Sequence, residues 1–159
     1  MSVELVLPKG DISEFDALIS IKPRFVDLIL SGVKTVELRR RAPQIPENTT
    51  IWIYSTVPIA KVLAFATVGA VYEGPKGAIW ERFSESMAIS RSEFEKYLSG
   101  SERASAIQLK KVQKIEDPVA LSHIKSQVSN FHPPQFFQKI FSDDPLLELI
   151  SSGLDCQLA

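Results

Sequence analysis

The densest charge in this chain lies in the stretch SGVKTVELRRR, where Lys34, Glu37, Arg39, Arg40 and Arg41 fall within eight residues. A lysine in such a setting can hold a phosphate as a cation. If it loses its proton near neutral pH, it can act as a base or nucleophile instead. That second role requires its pKa to fall from about 10.4 to roughly 7–8, which costs the charged form about 4 kcal/mol. Burial supplies a shift of that kind, whereas a neighbouring carboxylate opposes it. Glu37 therefore favours a charged, ion-paired Lys34 that positions a phosphate or a polar base edge. Arg39, with Arg40 or Arg41, has the planar fork that grips phosphate oxygens. The competing reading is a solvated edge strand that uses charge to resist aggregation.

Other candidates lie nearby. Lys22 and Arg24 flank Pro23 at the start of an expected helix, whose free N–H groups attract anions and whose dipole disfavours both cations. Ser55 and Thr56 follow a strand and suit either a base edge or a turn before Pro58. Trp80 is the preferred stacking residue among Trp52, Tyr54, Trp80 and Phe83, because at least one of Trp52 and Tyr54 is expected in the core. Gln135 sits among Pro133, Pro134, Phe136 and Phe137, and could read a base edge beside an apolar plug.

The elements that must position these residues follow from pattern. Ala17–Ile21 is a short apolar run suited to a buried strand. Pro23 opens a helix in which Phe25, Leu28 and Ile29 share a face, and Gly32 is placed to end it. If residues 34–41 are extended, Val36 and Leu38 point to the core. Glu37 and Arg39 then share the outer face, about 7 Å apart and able to pair. Pro43 and Pro46 bar a central strand after them. Thr50–Tyr54 and Ile59–Tyr72 read as strands, the second bent at Gly69 and broken by Gly74, Pro75 and Gly77. Ile79–Phe83 is a short helix, and Ser90–Leu98 a better one, with Ser90 as N-cap and Glu93 completing a capping box before Gly100. Ala104–Ile115 is the last long strand, with a phase slip before Val112 that a bulge or a helix end would explain. Asp144–Ser152 is a terminal helix, and Gly153 onward is frayed.

Length and composition set the bounds. The chain has 159 residues, enough for one domain with a proper core. A net charge of −1 means that any polyanion contact must come from a local patch. A single cysteine, Cys156, cannot form an internal disulfide, and His123 and His132 lack metal-ligand spacing. No metal and no cofactor are expected. No signal peptide or membrane span is visible, so a cytoplasmic protein that does not touch the membrane is expected. Strands separated by long helical insertions suggest an α+β domain around a mixed, barrel-like sheet.

In order and in residues the chain resembles the ASCH domain family of the PUA-like superfamily. The resemblance rests on Leu18-Ile19-Ser20-Ile21-Lys22-Pro23, on the S-G-x-K-T-x-E-x-R-R run from Ser31 to Arg40, and on Ile53-Tyr54-Ser55-Thr56. It continues through Trp80, Glu85, Ile89-Ser90, Glu93-Phe94 and Pro133-Pro134-Gln135-Phe136. It implies a PUA-like, mixed or antiparallel β-barrel with peripheral helices over residues 17–140. An N-terminal extension (1–16) precedes that domain, and a C-terminal helix and tail (141–159) follow it. It also implies binding of RNA or a modified nucleotide, in a regulatory setting in transcription or translation. One branch of the family hydrolyses N-acylated cytidine with a lysine, a threonine and a glutamate. These fall on Lys34, on Glu37 in place of the threonine, and on Glu85. A further member has been regarded as a ribonuclease. Three readings stay open: an RNA or nucleotide binder, an amidohydrolase or ribonuclease using Lys34, Glu37 and Glu85, and a regulatory module for a small ligand or a protein.

Overall fold

The computed structural model describes residues 2–7 and 14–154. Cys156, the tail beyond Leu154, and residues 8–13 of the N-terminal extension lie outside the described residues. In chain order the elements are β1 (Glu4–Leu5), β2 (Phe15–Ile21), α1 (Pro23–Leu30), β3 (Val36–Arg39), β4 (Thr50–Ser55) and β5 (Lys61–Pro75). There follow α2 (Lys76–Met87), α3 (Arg91–Tyr97), β6 (Arg103–Ala120), α4 (Leu121–Gln127), β7 (Phe137–Phe141) and α5 (Pro145–Ser151), with a short 3-10 turn at Ser152–Leu154.

The apolar run in β2 is explained by its place in the sheet. It pairs in parallel with β4 and antiparallel with β7, and both its faces are covered. Ala17, Ile19 and Ile21 join Val26 and Ile29 of α1 and Ile107 and Leu109 of β6 in the central core. Leu18 faces a second core with Trp52, Tyr54, Ile140, Leu146 and Ile150. Leu146 and Ile150 of the C-terminal helix α5 and Phe15 at the start of β2 pack against these cores.

The sheet has the order β3-β6-β5-β4-β2-β7, with β1 on β5. Among the described residues it is mixed, with five helices around it, and its edge strands β3 and β7 do not pair with each other, so the sheet is open where a β-barrel was expected. The β4–β5 ladder shifts register once, at Ile53/Tyr54, and the β5–β6 ladder three times, two of these being single-residue bulges. One lies in β5, where Val68 and Val71 oppose Leu109 and Ile107. There the Ala70 N–H donates to Gln108 Oε1 at 3.1 Å, and a Cβ on Gly69 would meet the Gln108 Cβ at 3.0 Å. The other lies in β6 between Lys110 and Gln113, with Lys111 at φ 52°, and accounts for the phase slip seen before Val112. Across the seam, side chains stand in for the missing ladder. Arg39 Nη2 donates to the Ser20 carbonyl at 2.7 Å, and the Arg41 guanidinium lies 5.2 Å from the centre of the Phe136 ring.

Several boundaries differ from expectation because neighbours override local punctuation. β5 continues through Gly74 and Pro75, which face Ala104 and Arg103 of β6, and β6 runs on past Pro118 to Ala120. α2 is longer than the expected 79–83. α4 and β7 lie in a stretch to which the sequence pattern assigns no element, only an apolar plug at Phe136 and Phe137; Phe137–Phe141 form a strand by pairing with β2.

Ser90 caps α3 as its capping box predicts, its hydroxyl accepting from the Glu93 N–H at 3.1 Å. Ser90→Ala is expected to cost about 1 kcal/mol and Ser90→Gly only a few tenths, read from urea denaturation midpoints at unchanged slope.

Candidate functional site

The site begins where α1 ends. Gly32, at φ +84°, reverses the chain, and the Lys34 N–H closes the turn on the Leu28 carbonyl at 3.0 Å. The Thr35 N–H then bonds the Ser86 carbonyl of α2, and its carbonyl accepts from Leu109 of β6. Because the strand starts only at Val36, Lys34 lies outside the ladder and the strand alternation does not govern it. Its ammonium donates to the Met87 carbonyl at 2.8 Å, stands 3.5 Å from Glu37 Oε1, and lies 5.0 Å from the centre of the Phe25 ring.

Glu37 and Arg39 share a face and pair, with Nε and Nη2 of Arg39 both donating to Glu37 Oε2 at 3.1 and 2.8 Å. That face is not the outer one, which corrects the sequence reading. Glu37 and Arg39 stand opposite Ile107 and Ser105 on the concave side of the curl. Val36 and Leu38 turn the other way, into a third core with Ile79, Phe83 and Ala106 under α2. Both faces of this edge strand are therefore covered, and Lys34, Glu37 and Arg39 are only 3, 7 and 9 % exposed.

Burial pushes the Lys34 ammonium below its ordinary pKa, and that effect outweighs the opposing pull of Glu37. Glu37 opposes the shift, as expected from sequence, but burial is the larger effect. Burial also pushes the Tyr97 phenol up.

These groups form one wall of a cavity of about 510 Å³ between α1, the ends of β2 and β3, and α3. Lys22, Arg24, Lys34, Arg39 and Lys96 line it with Glu37 and Glu93, giving a net charge of +3 in a chain whose total is −1. Phe25, Tyr97, Ile21 and Ile89 add apolar and aromatic surface, and Ser20 and the Leu38 position of β3 complete the lining. Arg24 of α1 and Glu93 of α3 form an ion pair that links the two helices at the rim.

The structure brings Lys22, Arg24, Lys34, Glu37 and Arg39 together and leaves the other candidates outside the lining. Arg40 donates to the Ser99 carbonyl and lies 5.9 Å from the centre of the Tyr97 ring, behind the cavity wall. Arg41 rests on Phe136, and Gln135 is exposed beside it. Ser55 is fully buried, and Thr56 is a turn residue whose N–H bonds the Ile21 carbonyl. Trp80 packs 4.9 Å from Phe94 and is covered by Arg91, so it offers no free ring face. Glu85 is exposed on α2 and lines no part of the cavity, so the proton shuttle expected beside Lys34 is not in place.

The sequence reading missed Phe25, Tyr97 and Lys96 as site residues. A signal existed: Glu93, Lys96 and Tyr97 recur at helical spacing in the very helix that the capping box announced. Among the described residues no group of three His, Cys, Asp or Glu side chains could hold a metal, and no helix is long and apolar enough to cross a membrane.

Two stability effects follow. Glu37→Gln leaves two buried cations without their anion and is expected to cost about 3–5 kcal/mol, whereas Lys34→Met, which keeps the Glu37–Arg39 pair, costs clearly less. Lys34 also has a pKa lower in the folded than in the unfolded state, so the unfolded chain binds more protons between that value and about 10.4. Stability contributed by this residue therefore rises with pH across that window. Denaturant unfolding from neutral pH to about pH 10 should show a rise that Lys34→Met flattens.

No family model matches the chain. An ASCH domain-containing ribonuclease of Zymomonas mobilis is 38 % identical over 120 residues, which are 76 % of this chain and 80 % of that protein. The crystal structure of ASCH from Zymomonas mobilis superposes with a TM-score of 0.79 at 34 % identity, covering 86 % of this chain and 94 % of that one. The N-terminal domain of Staphylothermus marinus McrB shares the fold at 15 % identity, with a TM-score of 0.55 over 91 % of this chain and 98 % of that one. Sequence likeness over most of both proteins, together with the shared fold, shows that this chain belongs to the ASCH domain family.

Proposed function

We propose that this ASCH protein binds single-stranded RNA and takes one nucleotide of it into the cavity between α1, β3 and α3. The observation that carries this reading is a lining of net charge +3 beside two aromatic rings, in a molecule that is slightly acidic as a whole. Cations that track phosphates and rings that stack on splayed bases are what single-strand binding requires. The relative from Zymomonas mobilis, named a ribonuclease, supports RNA as the polymer. Tyr97, which is exposed, takes the stacking role first given to Trp80, whereas the Phe25 ring already carries the Arg24 guanidinium at 4.4 Å and the Lys34 ammonium at 5.0 Å. Glu37 has both carboxylate oxygens engaged, so it serves to hold Lys34 and Arg39 rather than to read a base edge.

Strand cleavage is the second reading. It is favoured by that relative's name and by the place of Lys34 on the cavity wall, where burial lowers its pKa from the ordinary lysine value. Hydrolysis of an acylated nucleoside loses its proposed shuttle with Glu85 outside the cavity.

Fluorescence anisotropy with a labelled single-stranded RNA tests the binding reading. Affinity should fall with salt at a slope of about −0.7 for each phosphate neutralised. Tyr97→Ala should lose about 1–3 kcal/mol, and Gln135→Ala should lose nothing. Absence of binding at low salt sinks the proposal. For cleavage, end-labelled RNA incubated with excess protein should yield fragments that vanish with Lys34→Gln; RNA that is bound yet stays intact removes this second reading.

A further inference from the structure

At the floor of the cavity Lys34 and Arg39 carry two positive charges against the single carboxylate of Glu37. An uncompensated charge taken out of water costs several kcal/mol, so this position favours an additional anion over a neutral group. The donors needed to receive one are present. The Lys34 ammonium makes one short bond, to the Met87 carbonyl, and one longer ion pair. The Arg39 bonds use Nε and Nη2, so among the described residues its Nη1 has no protein acceptor. Both side chains are locked by these contacts, so they are oriented before any ligand arrives.

Two features of the site favour one form of anion: the charge of its lining and the contact between α1 and α3 across its rim. An internal phosphodiester at the floor needs two exits for its two flanking nucleotides. The cavity holds about 510 Å³, and α1 and α3 are tied together at its rim by the Arg24–Glu93 ion pair. A phosphomonoester needs one exit only. It also brings about −1.5 to −2 charges at pH 7, closer to the +3 of the lining than the single charge of a diester.

We propose that Lys34 and Arg39, held by Glu37, form a receptor for a phosphomonoester, so that the nucleotide entering the cavity is one with a terminal phosphate. This rests on the reading of the cavity as a nucleotide site. The phosphate has two possible sources, the end of an RNA strand or a free mononucleotide. Lys22 and Lys96 at the cavity wall then serve the phosphates or sugar that follow, without distinguishing an end from an interior position.

The test compares one short RNA carrying a 5′-phosphate, a 3′-phosphate or hydroxyls at both ends, by competition against a labelled strand. A hydroxyl-ended RNA one nucleotide longer controls for the added charge. A ribonucleoside monophosphate and its nucleoside are compared by thermal shift. The expected result is that one phosphorylated end binds tenfold or more tightly than the hydroxyl-ended control. Lys34→Gln should abolish that ratio, whereas Lys22→Ala and Lys96→Ala should weaken all strands alike. Equal binding of phosphorylated and hydroxyl-ended RNA by the unmodified protein overturns the proposal and leaves the RNA reading standing. If no RNA binds but the monophosphate stabilises the protein and the nucleoside does not, the RNA reading fails and a mononucleotide is the source. If neither binds, both fall.

Discussion

The carboxylate of Glu37 holds together three parts of the molecule that the backbone ladder leaves separate. One oxygen accepts twice from Arg39, whose guanidinium reaches on to the Ser20 carbonyl at the end of β2. The other faces Lys34, whose ammonium reaches the Met87 carbonyl at the end of α2. Edge strand, opposite strand and helix are thus joined through two cations that share one anion. Each of these charges is largely withdrawn from water at the cavity wall, and each is stabilised there by the others.

Such a group is weak evidence for stability in itself, since well-packed apolar residues of similar volume usually do as well or better. Its position gives it another meaning. The apolar cores lie elsewhere, on both sides of the sheet and beneath α2, and they hold the fold. The charged group sits instead where the sheet fails to close. Bulges in β5 and β6 curl β3 back toward β2, but the ladder stops short, and side chains span what remains. Had the sheet closed, backbone hydrogen bonds would occupy that gap. The open seam and the charged cavity are therefore one feature.

Much of the framework is readable from local pattern. The strand at Ala17–Ile21, the helix after Pro23, the strand at Thr50 and the Ser90-capped helix all appear close to where the residues place them. These are elements whose apolar spacing and caps agree with their surroundings. Reading failed where a neighbour decided the outcome. Phe137–Phe141 became a strand because β2 had a free edge, and Pro75 and Pro118 stayed within long strands that their partners extended. The alternation assumed from Lys34 onward failed for another reason: the Gly32 turn delays the strand to Val36 and frees Lys34 to reach the same carboxylate as Arg39.

By itself the sequence determined the types and the order: an α+β chain, a charged stretch carrying Lys34, Glu37 and Arg39, and the turn residues that deliver it. Those follow from periodicity, caps and composition, which are properties of a few neighbouring residues. Only the tertiary structure decided which way Glu37 and Arg39 face, that burial and not Glu37 sets the direction of the Lys34 pKa, and that Tyr97 and Lys96 share a wall with Phe25 while Glu85 and Trp80 do not. Each of these depends on what a curled sheet brings within a few ångströms across dozens of residues, and desolvation there is set by everything packed around a group rather than by its neighbours in the chain.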